Sequence, residues 1–273
     1  MNKISKGRTA LVMVFAIPFL YPFVIAVFMA IEPKKEYVNN PAALPHSVTF
    51  GLLKQVWKEQ RLGPGIVNSV ISTAVGAVVV VAASSTAAFW LSRRNSLASR
   101  SVMGVILSGW LFPGVVWIIP FFVLISRVHL TNNLIVLGVV YGATNVPFGV
   151  YLLYHAIKQV APHEVLEACR LDGCNQLQEF VRIVVPLLRP AIATLTALAV
   201  VWSWGDFLIG LIMLNDQSKF PVTLAAASIA NKNNVNSQEQ AGAAVIALLP
   251  MLLIFLVAQR AIVRGFVSGA TRE

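Results

Sequence analysis

Charge is scarce in this chain: only 12% of its 273 residues are Asp, Glu, Lys or Arg, and 11 acidic residues face 21 basic ones. A soluble domain of that length needs more charge to cover its surface. With 57% hydrophobic residues and a mean hydropathy of +0.75, the chain reads as one polytopic membrane domain over 1–273. No G-x-x-x-x-G-K-[ST] pattern occurs, so there is no P-loop to cradle ATP phosphates. No spaced pair of ionisable residues or metal ligands falls within an apolar run, which disfavours an intramembrane enzyme. His129 and His155 stand alone near the ends of such runs, as interfacial histidines rather than ligands. Cysteine is limited to Cys169 and Cys174, a single C-x4-C in a loop expected in the cytoplasm. Free thiols are therefore favoured over a zinc site or a disulfide. The net charge of +10 raises the question of nucleic acid, but the basic residues are scattered beside apolar runs instead of forming one stripe, so no nucleic-acid partner is expected.

What is present is long apolar runs. They predict an all-α fold with six transmembrane helices, at about 9–31, 65–91, 102–125, 134–157, 191–214 and 241–258. The first is read as an uncleaved span because it is longer than a signal-peptide core, and Pro18 and Pro22 interrupt it without a small-x-small exit site. The second is rich in Gly, Ala and Ser, which permits close helix approach and a central position. Pro113-Gly114 and Pro120 are able to break the third. Between the first two, Thr49 is placed to cap a short amphipathic helix in which Phe50, Leu53 and Trp57 share a face. A polar stretch with Asn231, Asn233, Asn234 and Asn236 precedes the last span. No internal repeat is visible, which a self-sufficient carrier would usually show. Lysine and arginine are enriched in the short loops on the side of both termini, including Arg93, Arg94, Arg100, Arg170 and Arg182, and this bias places both termini in the cytoplasm.

The segment 162–190, PHEVLEACRLDGCNQLQEFVRIVVPLLRP, is a charged loop between the fourth and fifth spans. Pro162 suits a first helical position, and Glu164 and Glu167 favour the positive start of that helix. Gly173 supplies a left-handed stop. Asn175 and Gln178 fit a capping box opening a second helix, with Leu177, Phe180, Val181 and Val184 as one apolar stripe and Pro186 and Pro190 as its end. Such a loop is suited to docking on a soluble partner.

Glu167-Ala168-Cys169, then Gly173, nine residues, and Ile183-Val184-Val185-Pro186 resemble the EAA loop of ABC importer permeases. The fuller run Glu-Ala-Cys-Arg-Leu-Asp-Gly, with Pro162 five residues before Glu167, is most similar to the carbohydrate-type subclass. Asn68-Ser69, Trp204-Gly205-Asp206-Phe207, Pro221-Val222-Thr223-Leu224 and Gln259-Arg260 through Gly269 resemble the same subclass in the same order. Departures are Cys169 and Cys174 in place of alanine, Val185 in place of leucine and Gly205 in place of asparagine. The resemblance implies a type I ABC importer permease fold in a bacterial or archaeal cytoplasmic membrane, and a transport subunit rather than an enzyme. It implies that Glu164, Glu167, Ala168, Arg170, Asp172 and Gly173 dock on an ATPase dimer. It also implies a second homologous permease, an extracytoplasmic solute-binding protein and the lipid bilayer as partners, with ATP and magnesium on the ATPase and no cofactor in this chain. The expected solute is a sugar or related polyhydroxyl compound, moved by ATP-driven alternating access.

Asp206 is the only acidic residue placed within a predicted span. An intramembrane carboxylate is costly and belongs at a cavity or beside a partner. One helical turn separates it from Trp202, and an indole with a carboxylate can stack on a sugar ring and accept from its hydroxyls. Trp117, Tyr141 and Asn145 complete a candidate solute path. Solvation or structural pairing of Asp206, and ordinary helix packing of the others, remain open readings at this point. A proton-coupled secondary carrier using Asp206 is the alternative function.

Overall fold

The computed structural model describes residues 6–40, 44–94, 96–161, 163–231 and 237–270. Pro162 and the asparagines at 233, 234 and 236 lie outside them. All regular structure among the described residues is helical: α1 (Lys6–Ile31), α2 (Lys34–Asn39), α3 (Gly51–Glu59), α4 (Leu62–Ser92), α5 (Leu97–Leu111), α6 (Gly114–Arg127), α7 (Leu134–Val160), α8 (His163–Leu171), α9 (Gln176–Leu187), α10 (Arg189–Gly205), α11 (Leu208–Met213), α12 (Val222–Ala227) and α13 (Ser237–Ala270). Among the described residues four helices are continuous and apolar enough to cross a membrane, and the count of six is reached only if each of two bent helix pairs is taken as one crossing.

Local chemistry explains the breaks. The third predicted span is two helices, α5 and α6, meeting at 100°. Pro113 has no N–H to continue α5 and adopts an extended conformation ahead of α6, whereas Pro120 sits inside α6 without ending it. The fifth predicted span stops at Gly205, because Asp206 turns extended (φ −68°, ψ 136°) and its Oδ1 accepts from the N–H groups of Ile209 (3.0 Å) and Gly210 (3.3 Å) at the start of α11. Aspartate is a preferred helix cap, so a residue expected on a continuous helix instead opens a new one. Pro190 likewise does not end α9. It lies in the first turn of α10, which leaves α9 at 75°. Thr49 is displaced from its expected cap position by one residue: Phe50 is the cap, and Thr49 Oγ1 accepts from Gly51 N at 3.2 Å.

The chain divides into two compact units, Met1–Ile66 with Val222–Pro250 and Val67–Pro221 with Met251–Glu273. In the first, the buried Gln238 amide donates to the carbonyls of Met29 (3.3 Å) and Glu32 (3.1 Å), tying the start of α13 to the end of α1. Thr49 N donates to Ile31 O at 2.7 Å and brings α3 back to the same place.

The second unit is built around α4 and α7. A Cβ added at Gly138 would lie 2.5 Å from Ser72 O, and one at Gly142 would lie 2.6 Å from Val79 Cβ and 2.8 Å from Gly76 O. Glycine at these positions lets the backbones touch. Farther along, Gly149 faces Ser84, whose hydroxyl donates to Val146 O at 3.3 Å. Positions 72, 76 and 84 thus meet 138, 142 and 149 in ascending order. The two helices run in the same direction, and the bent pair α5 and α6 returns the chain between them. Both helices start at the end where Asn68 Nδ2 donates to Ser218 O (3.0 Å) and Phe220 O (3.1 Å), and where Asn132 Oδ1 accepts from Asn215 N (2.5 Å) and Asp216 N (2.9 Å). The core continues through Val80, Leu153, Ile157, Leu166, Val184, Leu188 and Leu195 toward the opposite end, where the loop at α8 and α9 lies.

Candidate functional site

Two constructions stand out in the second unit, one at each end of the chemistry expected of it. The first is the loop of α8 and α9. α8 is amphipathic, with Leu166 and Cys169 buried and Glu164, Glu167, Ala168 and Asp172 exposed on or just beyond it. Its end is a Schellman motif: Cys174 N donates to Cys169 O (3.0 Å), Gly173 N donates to Arg170 O (2.9 Å), and Gly173 takes φ +86°. The capping box then forms in full, with Gln178 N donating to Asn175 Oδ1 and Asn175 N donating to Gln178 Oε1, both at 2.9 Å.

Two expectations for this loop are corrected. The stripe of Leu177, Phe180, Val181 and Val184 does not face one way, because Glu179–Val184 is π-helical and its longer turn shifts the register. Val184 is buried and Phe180 packs on Phe89 with ring centroids 5.0 Å apart, whereas Leu177 and Val181 are exposed. Nor are the cysteines free thiols: Cys169 and Cys174 are joined as a disulfide, with their Cα atoms 5.4 Å apart. The Schellman turn brings those two side chains together, a local geometry that the argument from cellular compartment does not contain.

The same register shift turns Glu179 inward. Its carboxylate is 1% exposed and pairs with Arg93, which follows α4, and with Arg170 Nε of α8 at 2.8 Å. Burial pushes the Arg93 guanidinium below its usual range, and the Glu179 charge opposes that shift. Arg170, expected to meet the ATPase, is thus engaged within the loop by Glu179. Nothing in the sequence marked Glu179 or its pairing with Arg93, which spans 86 positions.

The second construction is a cavity of about 730 Å³ walled by the α5–α6 bend, α7 and the break between α10 and α11. Trp117, Tyr141, Asn145, Trp202 and Asp206 all line it, although they come from three separate stretches of chain. Trp117 Nε1 donates to Gly109 O at 3.2 Å, which fixes the indole across the α5–α6 bend. Trp202 stacks edge-on with Phe148 at 5.1 Å, and Phe148 packs on Trp110 at 5.4 Å. Asn145 Nδ2 donates to Tyr141 O at 2.8 Å, one turn back on the same helix. The buried Tyr141 ring stands beside the Asp206 carboxylate. Trp110 and Phe112, which no sequence pattern singled out, also belong to the wall. Among the described residues no group of His, Cys, Asp and Glu is arranged to hold a metal ion.

Residues 79–267, more than half of the chain, match the family described as binding-protein-dependent transport system inner membrane component. The chain belongs to that family. This inner membrane component is therefore a multi-pass transport subunit that works with a solute-binding protein, and not an enzyme. It is 28% identical over 271 residues to the melibiose/raffinose/stachyose import permease protein MelC of Bacillus subtilis, covering 99% of this chain and 98% of that one. It is 26% identical to the diacetylchitobiose uptake system permease protein NgcG of Streptomyces coelicolor, covering 96% and 87%. The fold matches the crystal structure of a bacterial ABC transporter involved in the import of the acidic polysaccharide alginate, with a TM-score of 0.79 and 22% identity over 95% of the permease chain and 99% of that chain.

Proposed function

We propose that this permease is one half of the translocation channel of an ATP-driven sugar importer. It pairs with a second homologous permease, rests α8 on an ATPase dimer that holds ATP and magnesium, and takes solute from its binding protein at the opposite end. One observation carries this reading. α8 holds Glu164 and Glu167 outward while Arg170, through the buried Glu179, ties the same helix to Arg93 behind α4. A push on the exposed face of α8 therefore reaches the membrane helices through an ion pair as well as through packing. A neutral oligosaccharide fits both the sugars named for the similar permeases and a cavity whose lining holds tryptophans, Asn145 and Asp206 but no Lys or Arg.

The decisive experiment reverses Glu167 to Lys and reconstitutes the complex with its native subunits. Assembly in the membrane should survive, while ATPase stimulation by loaded binding protein and solute uptake should both be lost. Wild-type coupling in Glu167→Lys complexes would remove α8 from the ATPase interface.

Both termini and the α8–α9 loop are assigned to the cytoplasm. In a background lacking Cys169 and Cys174, a cysteine at Asn39 should react with an impermeant thiol reagent in intact cells and one at Ser96 should not. Labelling of Ser96→Cys would invert the assignment.

A further inference from the structure

The docking loop carries a second chemistry that ATPase attachment does not require. In a Schellman motif the side chains five positions apart on either side of the turn, here Cys169 and Cys174, are brought into contact by the backbone itself, and that contact is ordinarily apolar. Here both positions are cysteine and they are bonded. The two backbone hydrogen bonds that shape the turn, Cys174 N to Cys169 O and Gly173 N to Arg170 O, involve no sulfur. The turn is thus built for the pair whether it is a dithiol or a disulfide. The two sulfurs also differ in access. Cys169 is 5% exposed against the bundle, whereas Cys174 is half-buried beside the open turn at Gly173, where an added Cβ would meet nothing within 4 Å.

We propose that Cys169 and Cys174 form a reversible thiol–disulfide site that reacts with low-molecular-weight disulfides and, when oxidised, stiffens the turn behind α8 and slows transport. The structure holds the oxidised pair, and a reducing cytoplasm returns it to the dithiol from which cytosolic redox sensors are oxidised. The Cys174 thiolate attacks one sulfur of the small disulfide, forming a mixed disulfide and releasing one small thiolate. Cys169, having lost its proton, then attacks Cys174 Sγ, closes the Cys169–Cys174 bond and releases the second small thiolate. The two cysteines together give up two electrons and two protons, and the small disulfide becomes two thiols. The new bond crosses Gly173, the residue that sets the angle between α8 and α9. A turn held by two hydrogen bonds can open and close as an ATPase dimer moves beneath it, whereas a turn closed by a covalent link cannot. The rate effect rests on the proposed docking role of α8, but the thiol chemistry does not.

The test uses the complete purified complex, reduced and then treated with oxidised glutathione as the small disulfide. The peptide containing both cysteines should escape alkylation after treatment, and the ATP-dependent uptake of proteoliposomes should fall by about threefold or more, with full recovery in dithiothreitol. Cys174→Ser complexes should keep the reduced rate and ignore the treatment, whereas Cys169→Ala complexes should stop at the mixed glutathione disulfide on Cys174 and, lacking the link across the turn, should also keep the reduced rate. In the wild-type complex, full alkylation of both cysteines after treatment, or a mixed glutathione adduct that never resolves, would overturn the site. A formed bond with an unchanged uptake rate would overturn the stiffening, as would an equal loss in the Cys174→Ser complex. If the reduced complex lacks coupled transport altogether, the docking role and the rate effect fall together, and protection from alkylation alone still decides the thiol chemistry.

Discussion

Glu179 and Asp206 are carboxylates removed from bulk water in the same unit, and they are held in opposite ways. Glu179 is fully buried and answered by two arginines from two other elements, so its charge is neutralised within the loop. Asp206 is half-buried at a cavity, and its Oδ1 is held by two backbone N–H groups of α11 with no Lys or Arg among the lining residues. The first arrangement ties three pieces of chain together. The second leaves a carboxyl group facing a space large enough for a solute. Burial alone therefore does not distinguish an anchor from a binding group, whereas the nature of the partners does.

The largest effect should come from removing the anchor. Glu179→Ala leaves the half-buried Arg93 without its counter-charge, and breaking a pair whose carboxylate is fully buried costs about 3 kcal/mol. The purified complex should unfold at a lower temperature and retain less ATPase. An unchanged Tm together with full ATPase retention would show that the arginines find other partners and that Glu179 anchors nothing.

A smaller and different loss is expected at the cavity. Asn caps helices about as well as Asp, so Asp206→Asn should assemble normally. Each charge-assisted hydrogen bond to a solute hydroxyl is worth about 1.5 to 3 kcal/mol, so uptake per assembled complex should fall about tenfold. Asp206→Ala should add a stability loss of about 1 kcal/mol from the missing cap. Equal uptake per complex for wild type and Asp206→Asn would reduce Asp206 to its capping role and collapse the contrast with Glu179.

The smallest effect belongs to a third carboxylate, on the surface of the first unit. Glu36 accepts from Ser47 Oγ (2.5 Å), Ser47 N (3.3 Å) and His46 N (3.2 Å), and chiefly the Ser47 hydroxyl holds its carboxyl below the ordinary value of 4.5. A lowered carboxylate stabilises the fold above that ordinary value and loses its contribution as the pH falls through the lowered one. Protection of the Ser47 amide against hydrogen exchange should therefore decline with acidification in the wild type and stay flat in Glu36→Gln. A parallel decline in both would place the cause elsewhere.

These differences follow what a sequence can carry. The Schellman stop at Gly173 and the capping box of Asn175 and Gln178 depend on partners within five residues, and both were legible from residue type and spacing alone. The five cavity residues were legible as polar or aromatic groups in apolar runs, but their convergence needed the helix packing to be known. Glu179 was illegible because its apolar neighbours Phe180 and Val181 suggested an α-helical stripe, and only the π-helical register turns the carboxylate inward. Asp206 was misplaced for a related reason. An apolar run was read as one helix, while a residue that caps well was placed to end it. The disulfide was missed because compartment outweighed geometry, although Cys169 and Cys174 already stood on either side of the predicted stop at Gly173.

The contact between α4 and α7 has a consequence for how the protein moves. Gly138 and Gly142 accept the carbonyls of Ser72 and Gly76 as a lock accepts the cuts of a key, with the methyls of Val75 and Val79 as its wards. Sliding α7 by a single residue would drive Leu137 or Val139, and Tyr141 or Ala143, into slots that have no room for one carbon atom. The two helices must therefore travel as one piece, and the bending needed to face first one side of the membrane and then the other is left to the places where the chain is already broken, at Phe112-Pro113 and at Asp206-Phe207.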